Sequence, residues 1–192
     1  PAEAYRRVYT LSRWAIEQGA SILYKKTDSA LRGNIGSELQ AMSDAGGDSA
    51  PIYFLPGYPR SARTTINGVQ YYNGTPVAES VFGRDPLEPV AHSDVQKILA
   101  TQTSMDSRVV KRCSAFPDYG GRACIYICDG QEDADIQSVC RRLPAYRDNQ
   151  RARIWADEGI VKSFDGSTVL LLGTGDIGSH FAQLARTLGA HT

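Results

Sequence analysis

The 192-residue sequence has no excess of charge of either sign: 21 Lys and Arg stand against 21 Asp and Glu. That balance removes the electrostatic footprint expected of a nucleic-acid or anionic-membrane binder, so neither partner is assigned. No run of about 18 apolar residues is present, so no transmembrane helix is predicted. The opening stretch, PAEAYRRVYTLSRW, is charged and amphipathic and lacks the three-part pattern of a secretory signal, which places the protein in the cytoplasm as an expectation. Cysteine is sparse, with Cys113, Cys124, Cys128 and Cys140. None form the CxxC pairs that a structural zinc site sets on turns, and Cys124 and Cys128 share one strand-like run. Free, buried thiols in a reducing compartment are expected, and no metal site is assigned.

What is present is enough apolar material for a real core, 42% of the residues, arranged as strands alternating with helices. The pattern predicts an α/β fold with a mostly parallel sheet flanked by helices and a β-hairpin excursion. Residues 1 to 19 read as a helix with Val8, Leu11 and Ala15 inward and Gly19 as its stop. Because that helix is already in mid-pattern at Pro1, the chain reads as a clipped product. Strands are expected at Ile22 to Tyr24, Pro51 to Leu55, Arg108 to Val110 and Ala123 to Cys128. Two short strands, Val69 to Tyr72 and Thr75 to Val77, should flank an Asn73-Gly74 turn. Ser93 is the expected N-cap of a helix whose inner face is Val95, Ile98 and Leu99. Acidic Glu132, Asp133 and Asp135 precede a further helix.

The chemistry is densest between Tyr24 and Leu39. A short apolar run leads into Lys25, Lys26, Thr27, Asp28 and Ser29, then Arg32, Gly33 and Asn34. Ile35, Leu39 and Met42 follow at the spacing of one helical face. A strand, a polar turn and a helix in that order put backbone N–H groups and a positive helix end where an anion can sit. The lysines and Arg32 add charge for a carboxylate, and Asp28 and Ser29 suit hydroxyls, so a small polyhydroxy acid is one reading. A polar turn that binds nothing is the other.

This stretch resembles the KKxDSTLRGNxGxE signature of the four-carbon acid sugar kinase family, in its sugar-binding N-terminal domain. It departs at Ala30, where the family has Thr. The resemblance covers about residues 1 to 139. It extends to Tyr58 through Gly68, similar to the family's FPxxGRTTxxG segment with Ala62 for a glycine, and to the stretch from Phe82 to Val95, where Asp85 and His92 are candidate ligand contacts. If the replaced glycine had positive φ, Ala62 costs about 1 kcal/mol. Arg63 either grips a carboxylate bidentately or lies on a solvated loop. A lone histidine such as His92 is more often structural. The resemblance implies a substrate site for a four-carbon sugar acid drawn from Lys25, Lys26, Thr27, Asp28, Ser29, Arg32, Asn34 and Arg63. It also implies ATP as phosphoryl donor, bound by a domain for which no pattern is found here. A DDxTG strand and a Ser-Arg pair that the family uses at this site are not found either, and no catalytic residue is assignable.

From about residue 140 the pattern changes. Leu143 to Trp155 reads as a charged helix, and Ser167 to Leu172 as a buried strand. The strand runs into Gly173-Thr174-Gly175-Asp176-Ile177-Gly178 and a helix with Phe181, Leu184, Ala185 and Leu188 on one face. That is GxGxxG between a strand and a helix, where Gly173 makes the tight turn, Gly175 admits a pyrophosphate and Gly178 lets the helix pack. The stretch resembles the NAD-binding domain of D-isomer-specific 2-hydroxyacid dehydrogenases. The resemblance implies an NAD contact at Gly173, Gly175, Asp176, Ile177 and Gly178, in a unit without the ribose-holding acid expected about 20 residues further on. A strand–turn–helix that packs and holds no cofactor is the alternative. The expected organisation is therefore a sugar-acid-binding domain at 1–139 and a partial Rossmann unit at 140–192. The expected function is the substrate-binding part of a sugar-acid kinase, not catalytic by itself. A dehydrogenase fragment and a non-catalytic binding module are the alternatives, and an unpaired sheet edge favours self-association.

Overall fold

The computed structural model describes residues 1–20, 22–47, 51–117, 121–140 and 169–172, with 182–183, 185–187 and 189. In chain order the elements are α1 (Ala2–Glu17), β1 (Ile22–Lys25), α2 (Ile35–Gly46), β2 (Ile52–Phe54), β3 (Arg63–Ile66), β4 (Val69–Tyr72), β5 (Thr75–Pro76), α3 (Val95–Ala100), β6 (Asp106–Val110), β7 (Cys124–Cys128), α4 (residues 133–140) and β8 (Val169–Leu172). The fold is α/β, with parallel strand pairs and an antiparallel hairpin sheet. Two compact units divide it: Pro1–Tyr9 with Thr27–Gln137, and Thr10–Lys26 with Ser138–Thr192.

In the first unit β7 lies between β2 and β6, parallel to both, with Ile52 opposite Ile125 and Asp106 opposite Cys124. Every residue of Cys-Ile-Tyr-Ile-Cys in β7 is buried. A strand covered on both faces reads as a continuous apolar run instead of an alternation, which is why this one was legible. Ile125 and Ile127 join Leu31, Ile35, Leu39, Phe54, Ile98 and Leu99 in the core. There α2 comes unusually close to the end of α3. A Cβ on Gly36 would lie 2.7 Å from Gln102 Cβ and 3.1 Å from the Leu99 carbonyl oxygen.

The hairpin sheet is larger than expected. Beside β4 and β5 it contains β3, so the order is β3-β4-β5 and all pairs are antiparallel. Both turns are Asn-Gly with φ positive at each residue, 50 and 75° at Asn67-Gly68 and 48 and 76° at Asn73-Gly74. That is the turn whose twist matches the flanking strands, and Asn and Gly tolerate it best. The Asp129 carboxylate accepts the N–H groups of Asn67 and Gly68 at 2.8 and 2.9 Å and ties the first turn to the end of β7. β5 ends at Pro76, and Val77–Glu79 is a 3-10 turn instead of more strand.

Three further expectations change. Asp94, not Ser93, caps α3, accepting from Lys97 N–H at 3.1 Å; Ser93 Oγ instead accepts the Ala78 N–H at 3.0 Å. In α1 Leu11 is 47% exposed while Ser12 is buried with Ala15. Positions 11 and 12 both lie within reach of the inward arc from Val8, and the helix turns the smaller residue in. The helix ends as read, with Gly19 at φ 84° and N–H bonds from Gly19 to Ile16 and from Ala20 to Ala15, the paired bonds of a Schellman ending. None of the four cysteines is in a disulfide, but only Cys124 and Cys128 are buried, Cys140 is partly so and Cys113 is exposed.

In the second unit β1 pairs in parallel with β8, Ile22 opposite Val169 and Lys25 opposite Leu172. Cys140 is partly exposed as a residue, but its thiol is largely surrounded by protein, and that desolvation pushes it up to about 11. The expected helix at Leu143 to Trp155, Phe181, Leu184, Leu188 and the whole Gly173 to Gly178 loop lie outside the described residues. Among the described residues, no helix is long and apolar enough to cross a membrane.

Candidate functional site

The turn between Thr27 and α2 is built by Asp28. Its carbonyl accepts the Leu31 N–H at 2.9 Å and its Oδ1 accepts the Ala30 N–H at 3.2 Å. Leu31 then takes φ 67°, a left-handed conformation that is costly for a bulky side chain. Burial offsets that cost: Leu31 is 3% exposed within the core cluster of Ile35 and Leu39. Driving Leu31 inward leaves the next residue, Arg32, at the surface of the turn beside Asp28. Gly33, at φ 91°, leads to Asn34 at the start of α2, whose carbonyl accepts Glu38 N–H while its side chain makes no capping bond.

The start of α2 is already occupied in part. Gln102 Oε1 accepts the Gly36 N–H at 2.7 Å and its Nε2 donates to Gly33 O at 2.9 Å, while Ser37 Oγ donates to the Gln102 carbonyl at 3.1 Å. One of the helix-end amides that the sequence offered to an anion is therefore taken by a side chain from beyond α3.

Charge at the turn is paired. Arg32 Nε donates to Asp28 Oδ2 at 2.6 Å and Nη1 to Asp85 Oδ2 at 3.0 Å. Asp85 Oδ1 accepts the N–H groups of Leu87 and Glu88 at 3.0 and 3.1 Å. Burial pushes the Asp28 carboxyl up, but the bonds from Arg32 and Ala30 and the charge of Arg32 outweigh it and hold it below the usual carboxylate range. Asp85 is held low by the Glu88 and Leu87 N–H bonds and then by Arg32. The guanidinium of Arg32 is raised in turn, first by its bond to Asp28 and then by that to Asp85.

Arg63 opens β3 directly opposite Tyr72 in the register. Its guanidinium carbon lies 5.2 Å from the Tyr72 ring centre and 5.3 Å from that of Phe82. Arg32 meets the same Phe82 ring at 5.4 Å. Tyr72 and Phe82 are themselves in edge contact at 5.0 Å. The ring thus serves two cations, by attraction of each to its electron-rich face. Arg63 Nη1 donates to Ser61 O at 3.1 Å, and its Nε is enclosed without a hydrogen-bond partner among the described residues.

A buried amide joins the two arginine-bearing segments. Gln70, fully buried on β4, accepts the Thr65 hydroxyl at 2.7 Å and donates to Ser29 O at 2.8 Å and Pro56 O at 3.2 Å. So the structure brings Asp28, Ser29, Arg32 and Arg63 into one connected region with Asp85, as sequence reading grouped most of them. Thr27 is half-buried at its edge, and His92 is exposed. Lys25 ends β1 and Lys26 follows it, both in the other compact unit, with Lys25 Nζ on Lys26 O at 3.4 Å. The five cofactor residues Gly173, Gly175, Asp176, Ile177 and Gly178 lie outside the described residues.

Sequence reading missed Gln70, Tyr72, Phe82 and Gln102. Gln70 carried a signal, a long polar residue inside an otherwise apolar and aromatic short strand. The others carried none that spacing reveals. Among the described residues, no group of three or more His, Cys, Asp or Glu is placed to hold a metal.

The family model described as the sugar-binding N-terminal domain matches residues 1–162. A second, the NAD binding domain of D-isomer specific 2-hydroxyacid dehydrogenase, matches residues 134–192. The chain is 35% identical over 103 residues to a D-erythronate kinase of Heliobacterium modesticaldum, covering 54% of this chain and 24% of that protein. It is 31% identical over 131 residues to a D-threonate kinase of Bordetella bronchiseptica, covering 65% and 31%. It therefore spans about a quarter to a third of the length of these relatives. A crystal structure from Bordetella bronchiseptica, described as a domain of unknown function with bound citrate and as a domain-swapped dimer, superposes with a TM-score of 0.63 at 28% identity, covering 76% of this chain and 37% of that one.

Proposed function

This chain belongs to the sugar-binding N-terminal domain family, and from that premise we propose that it is the substrate-binding part of an ATP-dependent kinase of four-carbon sugar acids, of the threonate or oxo-tetronate type. The carrying observation is the group of Asp28, Arg32, Arg63 and Asp85 around Phe82. It combines a cationic fork for a carboxylate with a rigid polar turn for hydroxyls. Relatives named D-threonate and D-erythronate kinase support the substrate class, and a neighbour solved with citrate supports capture of a small hydroxy acid. Thr27, Ser29 and Asn34 complete the proposed set within the first unit. Phosphoryl transfer depends on positioning and charge stabilisation. ATP and the proton acceptor belong to a part of the machinery outside the 1–139 region, so the region binds without turning substrate over. Self-association through a sheet edge belongs to the same reading, supported by the domain-swapped neighbour, as does a place in the cytoplasm.

A second reading is favoured by one observation. The match at 134–192 coincides with β8, a parallel strand ending at Leu172 immediately before the Gly173 to Gly178 motif. It makes 140–192 a partial NAD-binding unit. Titration calorimetry with D-threonate, and NADH fluorescence, separate the two. Heat from threonate without an NADH response supports the sugar-acid reading. An NADH response without threonate heat overturns it in favour of the second.

A further inference from the structure

We infer that Arg63, and not Arg32, is the residue that takes the ligand's carboxylate, and that the Arg32 cluster is a preset frame beside it. This rests on the sugar-acid reading and assigns the acid end of the ligand to one side chain.

The two guanidiniums share the Phe82 ring but differ in what their donors already do. Arg32 is bonded to two carboxylates, Asp28 and Asp85. Two negative charges face one positive charge, so the cluster as a whole carries an excess of −1 and repels an incoming acid. Its carboxylates are committed as well, Asp28 to the Ala30 N–H and Asp85 to those of Leu87 and Glu88. Arg63 has no carboxylate partner among the described residues. One end, Nη1, is anchored on Ser61 O. That leaves the Nε–Nη2 edge, the side-on fork whose two parallel N–H groups match the two oxygens of a carboxylate. Its Nε is enclosed and has no acceptor among the described residues.

A closed-off donor without an acceptor is rare in folded proteins, and a ligand is one of the few explanations for it. An oxygen that meets Nε leaves water behind to do so, which strengthens the charge-assisted bond. Tyr72 and Phe82 hold the fork in one plane from their two ring centres, 5.2 and 5.3 Å away. The planar, oriented fork is what a lysine cannot reproduce.

The test uses the full chain with D-threonate as the acid and threitol as the neutral four-carbon polyol. Arg63→Lys is expected to weaken threonate binding by more than tenfold and to leave threitol binding unchanged, so the preference for the acid collapses. An Arg63→Lys protein with wild-type near-ultraviolet circular dichroism and wild-type threonate affinity overturns the inference. A second measurement needs no substitution. The Arg63 15Nε resonance of the wild-type protein shifts on addition of threonate and stays in place with threitol. A stationary Nε signal under saturating threonate likewise overturns the inference. Wild-type protein that binds no threonate overturns the sugar-acid reading itself, which separates the two failures.

Discussion

Two segments of the first unit each present one arginine to the same phenyl ring, and they are built in opposite ways. The segment from Asp28 to Gly36 is closed. Its arginine is held by two carboxylates, its helix start by Gln102, and its one strained residue, Leu31, by the core. The segment from Pro59 to Ile66 is open. Among the described residues its arginine has one backbone acceptor and an enclosed Nε without a partner, and an exposed left-handed residue, Ala62 at φ 54°, stands just before it. The motif-rich segment is therefore the scaffold, and the plainer one holds the uncommitted donor. Density of charged residues in a sequence marks where charge gathers, but not which donor is left uncommitted.

The strongest way to break that comparison is to cut the tie between the segments. Gln70→Leu leaves Ser29 O, Pro56 O and the Thr65 hydroxyl short of a partner inside the protein. Unmade bonds of buried groups cost about 1–3 kcal/mol each, with partial relaxation, so a loss of about 3 kcal/mol is expected. Urea unfolding monitored by fluorescence reads it as a lower midpoint. A loss under about 1 kcal/mol shows that the amide does not brace the two segments. Next in size is Gly36→Ala, which strains the anchor of the closed segment. Its Cβ would meet Gln102 Cβ at 2.7 Å and two further atoms at 3.1 and 3.2 Å. Overpacking of this kind costs about 1–3 kcal/mol, and the same unfolding series checks it.

Much of this architecture was readable. The β7 run, the Asn73-Gly74 turn, the inner face of α3 and the Gly19 ending each followed from local chemistry that the fold does not override. The turn at Asp28 was readable as a place where charge gathers. Its internal pairing was not. Asp85 reaches Arg32 from 53 positions away, and Gln102 reaches Gly36 from 66 away, separations that no periodic pattern records. β3 was missed because Arg63-Thr-Thr-Ile has one strongly apolar residue, and its strand state comes from pairing with β4. Ser93 lost its expected cap role because its hydroxyl is used by Ala78 and Asp94 offers a better acceptor one residue later.

Asp28→Asn turns the closed arginine into a half-open one. More than a third of the Arg32 side chain is exposed, so solvent screens the pair and the loss is discounted to about 1 kcal/mol. The pH dependence gives the sharper reading. Asp28 and Asp85 are both held below the usual carboxylate value in the folded protein. Their contribution is therefore full above the unfolded value, about pH 4, and is lost as pH falls through the lower folded values. Melting temperatures recorded from about pH 6 down to pH 2 should fall less steeply for Asp28→Asn than for wild type. Equal slopes mean that the Asp28–Arg32 bond contributes nothing measurable.

The smallest effect sharpens the comparison from the open side. Ala62 holds its left-handed conformation between two bonds, its N–H on Pro59 O at 2.8 Å and its carbonyl under Asn73 N–H at 2.9 Å. Ala62→Gly keeps both bonds and removes the steric cost of a Cβ at φ 54°, about 1–2 kcal/mol. Glycine also loosens the unfolded chain, which returns part of that gain. The net expectation is a stabilisation of up to about 1 kcal/mol, seen as a small rise in melting temperature. The interest lies in what accompanies it. If strain at Ala62 aims Arg63, the glycine variant binds threonate more weakly while being more stable. If the Tyr72 and Phe82 rings alone aim it, affinity stays the same, because those contacts do not pass through residue 62.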